Sequence, residues 1–177
     1  TDFPIVDSNR KLVGVWAKGP GDSHPSHSNL VVIMAGGEGL RLRPLTEATP
    51  KPLLNVGGKP ILQHIVENLR DEGFLNIVIA VNYLAEQIRD YFGDGSNLGV
   101  SIRYLEEDRA MGTAGALSLL GDPGPKPIVV MNGDLVVAAR IAKLVEYHVD
   151  QQALITVGAK ILETTVPFGV FETSGPV

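Results

Sequence analysis

The sequence predicts an α/β domain built on a mainly parallel sheet. From residue 30 onward, short aliphatic and β-branched runs alternate with segments whose apolar residues repeat at helical spacing. Strands joined through helices run parallel, and the helices cover both faces of the sheet. The ends of the runs add a third observation. Those at 30–34, 100–105 and 127–131 break into Gly-, Glu- or Asp-bearing segments, and the carboxyl ends of parallel strands are where such sheets bind ligands.

The elements follow in chain order. Residues 1–19 read as a hairpin: Pro4-Ile5-Val6-Asp7, a turn at Ser8-Asn9-Arg10-Lys11, then Leu12-Val13-Gly14-Val15-Trp16. PIVDSNRKLVGVW resembles the last two strands of a CBS domain, a module that senses adenine nucleotides; an ordinary hairpin packed on the main domain fits the same residues. Residues 20–29, rich in Gly, Pro and Ser, read as a linker in which His24 and His27 are solvated. The main domain then occupies 30–177. Residues 60–72 place apolar side chains at 61, 62, 65, 66 and 69, with Pro60 at the start and Gly73 past the end, which predicts a helix with His64 on its solvated face. A buried strand follows at 76–81, a helix at 84–92, a loop at 93–97, a strand at 100–105, a short helix at 114–120 and a strand at 127–131. Ile141, Leu144, Val145 and His148 share one helix face, so His148 is expected to be a hydrogen-bonded packing residue. Two further strands are expected at 153–160 and 168–172.

Composition narrows the class. A chain of 177 residues suits one domain able to bury about 70% of its unfolded surface. Hydrophobic residues make up 44% and charged residues 20%, the balance of a globular protein. Fifteen basic against 20 acidic residues give a net charge of −5, which argues against nucleic-acid binding. The lack of cysteine removes disulfides, thiolate zinc sites and cysteine nucleophiles. No apolar run approaches the ~20 residues of a membrane span, and no leader is visible, so a soluble cytoplasmic protein is expected.

Residues 30–56, LVVIMAGGEGLRLRPLTEATPKPLLNV, carry the chemistry. A buried strand breaks into Ala35-Gly36-Gly37-Glu38-Gly39, and Arg41, Arg43 and Lys51 follow within a dozen residues. Glycines let a backbone approach a ligand and present its N–H groups, while fixed cations neutralise phosphate, so the segment suits a nucleoside triphosphate. The dinucleotide fingerprint fails because its third glycine position holds Leu42. The Walker A pattern fails because Pro60 follows Gly58-Lys59 and Leu53 stands where the first glycine belongs.

GGEGLRLRPLT followed by PKPLL resembles the GGxGTRLxPLT and PKxLL signature of the sugar-1-phosphate nucleotidylyltransferases, with Leu40 where that family usually has Thr. The resemblance continues in Glu106-Glu107-Asp108-Arg109-Ala110-Met111-Gly112-Thr113-Ala114-Gly115-Ala116-Leu117, similar to a segment that lies against the nucleobase, and in Asn132-Gly133-Asp134 at a strand tip. Val166-Pro167-Phe168-Gly169-Val170 resembles a sugar-contacting VPFG segment. The likeness covers about residues 30–172, the first two-thirds of a family catalytic domain; the family's Glu-Lys-Pro segment and second metal-binding Asp do not appear, as in a truncated chain.

The resemblance implies a three-layer α/β sandwich with a mainly parallel mixed sheet, like that of nucleotide-diphospho-sugar transferases. It implies that a nucleoside triphosphate and a sugar 1-phosphate react, with Mg2+, to an NDP-sugar and pyrophosphate. Arg41 and Lys51 would hold the triphosphate and the departing pyrophosphate, and Asp134 the magnesium ion. Ala35, Gly36, Gly37 and Gly39, with Glu107, Gly112 and Thr113, would hold the nucleotide, and Gly133, Phe168 and Gly169 would face the sugar. A phosphate monoester with a second pKa of about 6 is already mostly ionised at pH 7, so no general base is required. Glu107 stands five residues before Gly112, where thymidylyl- and uridylyltransferases typically carry Gln. A carboxylate accepts from the paired N1–H and N2–H of guanine but repels a pyrimidine carbonyl, which favours GTP, then CTP. A solvent-facing Glu107, with Glu106 or the backbone reading the base, is the alternative. A thymidylyl-, uridylyl- or cytidylyltransferase, a non-catalytic nucleotide-sugar-binding homologue and a CBS-dominated signalling module also remain open, as does a homo-oligomer. No membrane partner is expected.

Overall fold

The computed structural model describes residues 3–6, 12–16, 26–107, 112, 114–136, 139–159 and 161. β1 (Phe3–Val6) and β2 (Leu12–Trp16) form the expected antiparallel hairpin as a sheet of their own. The central sheet is built from β3 (Val31–Met34), then, after the short hairpin of β4 (Asn55–Val56) and β5 (Lys59–Pro60) and helix α1 (Ile61–Asp71), from β6 (Asn76–Val81). Helix α2 (Ala85–Phe92) leads to β7 (Ser101–Glu106), then come β8 (Val129–Asn132) and helix α3 (Ile141–Asp150). The sheet order is β7-β6-β3-β8, and every pairing is parallel.

Register explains the core. Val31, Ile33, Ile77, Ile79 and Val81 point to one face, where they join Leu62, Ile65, Val66 and Leu69 of α1 and Ile88 and Phe92 of α2 in one buried cluster. Val32, Val78 and Ala80 point the other way and are buried as well, which is why these strands read as continuous apolar runs rather than as alternation. Among the described residues, no helix is long and apolar enough to cross a membrane.

Helix α1 stops as its sequence demands. The Gly73 N–H donates to the Arg70 carbonyl (2.8 Å) and the Phe74 N–H to the Leu69 carbonyl (2.9 Å), with Gly73 left-handed at φ 91. These are the two bonds of a Schellman stop, and the buried Phe74 and Leu69 supply its apolar contact. The same stop corrects the expectation for His27. Its N–H donates to the Gly73 carbonyl (2.9 Å) and its ring stacks on Phe74 with centroids 4.5 Å apart, so it is packed rather than solvated. Asn29, also within the expected linker, is buried and donates to the Pro127 carbonyl (2.7 Å). His24 lies outside the described residues.

Other expectations need correction too. His64 is half-buried, and its Nε2 donates to the Val56 carbonyl (2.8 Å), pinning the β4–β5 hairpin to α1. The helix expected at 114–120 is a 3-10 helix at Gly115–Leu119, where the Ser118 hydroxyl donates to the Gly115 carbonyl (2.8 Å). Gly and Ser are weak helix formers, and such a back-bond competes with the α-helical ladder. Residues 153–159 form no strand: Leu154, Ile155 and Val157 are largely exposed, and no described strand lies beside them. His148 bonds to the Thr156 hydroxyl (2.9 Å), as expected of a packing residue. The strand expected at 168–172 lies outside the described residues.

Candidate active site

A cavity of about 590 Å³ opens where all four parallel strands end: at Met34 closing β3, Asn82 after β6, Glu107 after β7 and Asn132 closing β8. Its floor is the loop from Ala35 to Gly39, and Arg41, Lys51 and Asp134 stand on its walls.

The loop is held in place by its neighbours. Gly39 is left-handed (φ 64), and a Cβ there would lie 3.0 Å from the Thr46 Cγ2 and 3.1 Å from the Lys51 Cβ, so any other residue would be strained and crowded. Thr46 is fully buried and its hydroxyl donates to the Gly39 carbonyl (2.8 Å). Tyr83 donates to the Glu47 carbonyl and Gln87 to the Ala48 carbonyl, each at 2.9 Å, which fixes the segment that carries Lys51. Lys51 opens the 3-10 helix Lys51–Leu53, anchored by the buried Pro52.

The loop's backbone carries the donors that an anion would need. The Ala35 N–H is already spent on the Ala80 carbonyl (2.8 Å), so Ala35 contributes a wall but no donor. The N–H groups of Gly36, Gly37, Glu38 and Gly39 donate to no acceptor among the described residues. Consecutive unspent amides around a cavity form an anion-binding concavity. Arg41 is exposed at the rim in the 3-10 helix Leu40–Leu42, with no ion pair among the described residues. Leu40 beside it is 57% exposed, an apolar side chain at the cavity mouth. Arg43 pairs with Glu38 at 3.8 Å in the open, a contact of little energetic weight.

On the opposite wall, Gly133 lets the turn after β8 sit against the loop. A Cβ there would meet the Ala35 Cβ, the Ile33 Cγ2 and the Met34 carbonyl at 3.2 Å each, and the Gly133 N–H donates to that carbonyl (2.8 Å). This close approach brings Asp134 to Lys51, whose ammonium donates to the Asp134 Oδ2. Glu107 lines the cavity at 7% exposure, whereas Glu106 is 57% exposed and pairs with Arg89 (2.5 Å). The solvent-facing alternative for Glu107 is therefore wrong. Gly112 also lines the cavity; Thr113, Phe168 and Gly169 lie outside the described residues.

Sequence reasoning missed Asn82 and Thr46. Asn82 lines the cavity, its Nδ2 donates to the Glu107 carbonyl (2.5 Å), and its Cβ would lie 3.2 Å from a Cβ placed on Gly36. The signal was available: Asn82 directly follows a predicted strand, as Ala35 does. Thr46 gave no such signal.

The chain belongs to the nucleotidyl transferase family, which it matches over residues 30–176. It is 34% identical over 132 residues to the mannose-1-phosphate guanylyltransferase of Mycobacterium tuberculosis, covering 74% of this chain and 37% of that protein. It is 47% identical over 109 residues to the N-acetylmuramate alpha-1-phosphate uridylyltransferase of Neisseria meningitidis serogroup B, covering 59% and 46%. The structure of HddC from Yersinia pseudotuberculosis, complexed with GMP-PN, superposes with a TM-score of 0.62 at 30% identity, covering 69% of this chain and 55% of that one. The chain thus spans less than half the length of these curated relatives. The match begins beyond the β1–β2 hairpin, whose CBS likeness rests on its sequence alone.

Proposed function

We propose that the chain is the nucleotide-binding part of a cytoplasmic sugar-1-phosphate nucleotidylyltransferase that uses GTP. A phosphate oxygen of the sugar 1-phosphate attacks the α-phosphorus of the nucleotide in line. The bond from that phosphorus to the bridging oxygen breaks, and its electron pair leaves with pyrophosphate. The chain's part is to position the reactants and to spread the developing charge. The amides of Gly36 to Gly39 and the cations of Arg41 and Lys51 face the phosphates from the cavity floor and walls.

Among the described residues, no three His, Asp or Glu side chains are grouped to hold a metal by themselves. Magnesium is commonly held by one or two carboxylates together with substrate phosphates, and a single carboxylate on a phosphate-binding wall fits that pattern. Asp134 would hold the ion, which would supply charge neutralisation to the phosphates. Phe168 and Gly169, together with Gly133, are proposed to serve the sugar.

The observation that carries the choice of base is the burial of Glu107 in the cavity while Glu106 is committed outside it. A buried carboxylate facing the base selects a ring edge with two adjacent donors, as in guanine, and disfavours uracil and thymine. The guanylyltransferase relative and the GMP-PN complex of HddC accord with this, and the uridylyltransferase relative marks the competing choice. The test is kcat/KM for GTP, CTP, UTP and dTTP in the parent and in Glu107→Gln. The parent is expected to prefer GTP and the variant to lose about 10-fold or more of that preference, since a buried charged hydrogen bond contributes about 1.5–3 kcal/mol. A parent that prefers UTP or dTTP, or a variant with unaltered preference, refutes the assignment.

A further inference from the structure

Lys51 and Asp134 reach the cavity from elements 83 residues apart, yet they meet, the ammonium donating to the Asp134 Oδ2. Both remain about one-third exposed, at 33% and 34%, so ligands have access to either side chain. The two residues serve different ligands in the proposed reaction, and each is already engaged by the other.

We propose that the Lys51–Asp134 pair is a counter-ion latch that couples triphosphate binding to divalent-cation binding. The inference rests on the proposed function of the site. Before either ligand binds, each charge neutralises its partner. A triphosphate arriving alone must draw Lys51 away and leave the carboxylate unpaired beside phosphate oxygens. A cation arriving alone must take Asp134 and leave the ammonium beside it. When both arrive, each half of the pair exchanges one counter-ion for another and no charge is stranded. The two ligands therefore favour one another, and the effect is reciprocal: magnesium raises triphosphate affinity by the factor by which triphosphate raises magnesium affinity. The latch also holds Lys51 at the cavity wall before the nucleotide arrives, so less side-chain freedom is lost on binding.

A double-mutant cycle separates the latch from simple repulsion between Asp134 and phosphate. Affinity for inorganic triphosphate is measured calorimetrically in EDTA and in magnesium, using full-length parent, Asp134→Asn, Lys51→Gln and the double variant, with circular dichroism to verify folding. In EDTA, Asp134→Asn is expected to bind about fivefold tighter than the parent, because Lys51 is released. In the Lys51→Gln background the same change relieves only the repulsion between Asp134 and phosphate, so its gain is expected to be several-fold smaller than in the parent. An equal gain in both backgrounds would show repulsion alone and overturn the latch while leaving the phosphate site standing. So would the absence of any gain. If none of the four proteins bound triphosphate, with or without magnesium, the site reading itself would fall, and the latch with it.

Discussion

Arg41→Ala is expected to lower turnover by about 10²–10³, the usual cost of removing one group that stabilises transition-state charge. The thermal midpoint should hardly move. Arg41 is exposed at the cavity rim, makes no ion pair among the described residues and belongs to a 3-10 helix with no buried residue. Substitutions at such surface positions usually stay within about 0.5 kcal/mol. Retention of near-full activity at saturating substrates would remove Arg41 from the reaction. A loss of stability in step with activity would recast it as structural.

Asp134→Asn should fall by a similar factor of about 10²–10³, but for a different reason and with a different signature. The amide keeps the shape of the turn, which Gly133 packs against Ala35 and Ile33 whatever follows it. What disappears is the charge that would attract magnesium, so the magnesium needed for half-maximal rate should rise as the rate drops. An unchanged magnesium dependence would contradict the metal role. The same variant is expected to bind metal-free triphosphate more tightly while reacting more slowly, a combination that a merely misfolded site would not produce.

The parts of this site that were legible in the sequence are those whose chemistry is local. A run of buried β-branched residues ending abruptly in glycine marks a strand tip; the carboxylate at 134 follows such a tip closely, whereas Arg41 and Lys51 stand further along the loop and were marked by their motif. Parallel topology then predicts that the tips share one crevice, and β3, β7 and β8 do end at the same cavity. Asn82 should have been found by the same rule applied to β6. Thr46 could not have been, because its worth lies in a hydroxyl that meets the Gly39 carbonyl through the path of the intervening loop. His27 was misjudged because composition marks a linker but says nothing of a ring that finds Phe74 at the end of a distant helix. Residues 153–159 show the converse: β-branched and apolar residues form a strand only when they pair with a sheet edge, and this segment pairs with no described strand.

The central claim is that this cavity serves nucleotidyl transfer to a sugar 1-phosphate. The most direct test incubates the full-length protein with magnesium, each nucleoside triphosphate in turn and a panel of sugar 1-phosphates, and quantifies pyrophosphate and nucleotide sugar by mass spectrometry. Pyrophosphate and an NDP-sugar are expected in equal amounts, formed only when both substrates are present and fastest with GTP. Nucleotide binding without pyrophosphate release from any pair would contradict the claim and indicate a nucleotide-sugar-binding homologue that does not turn over.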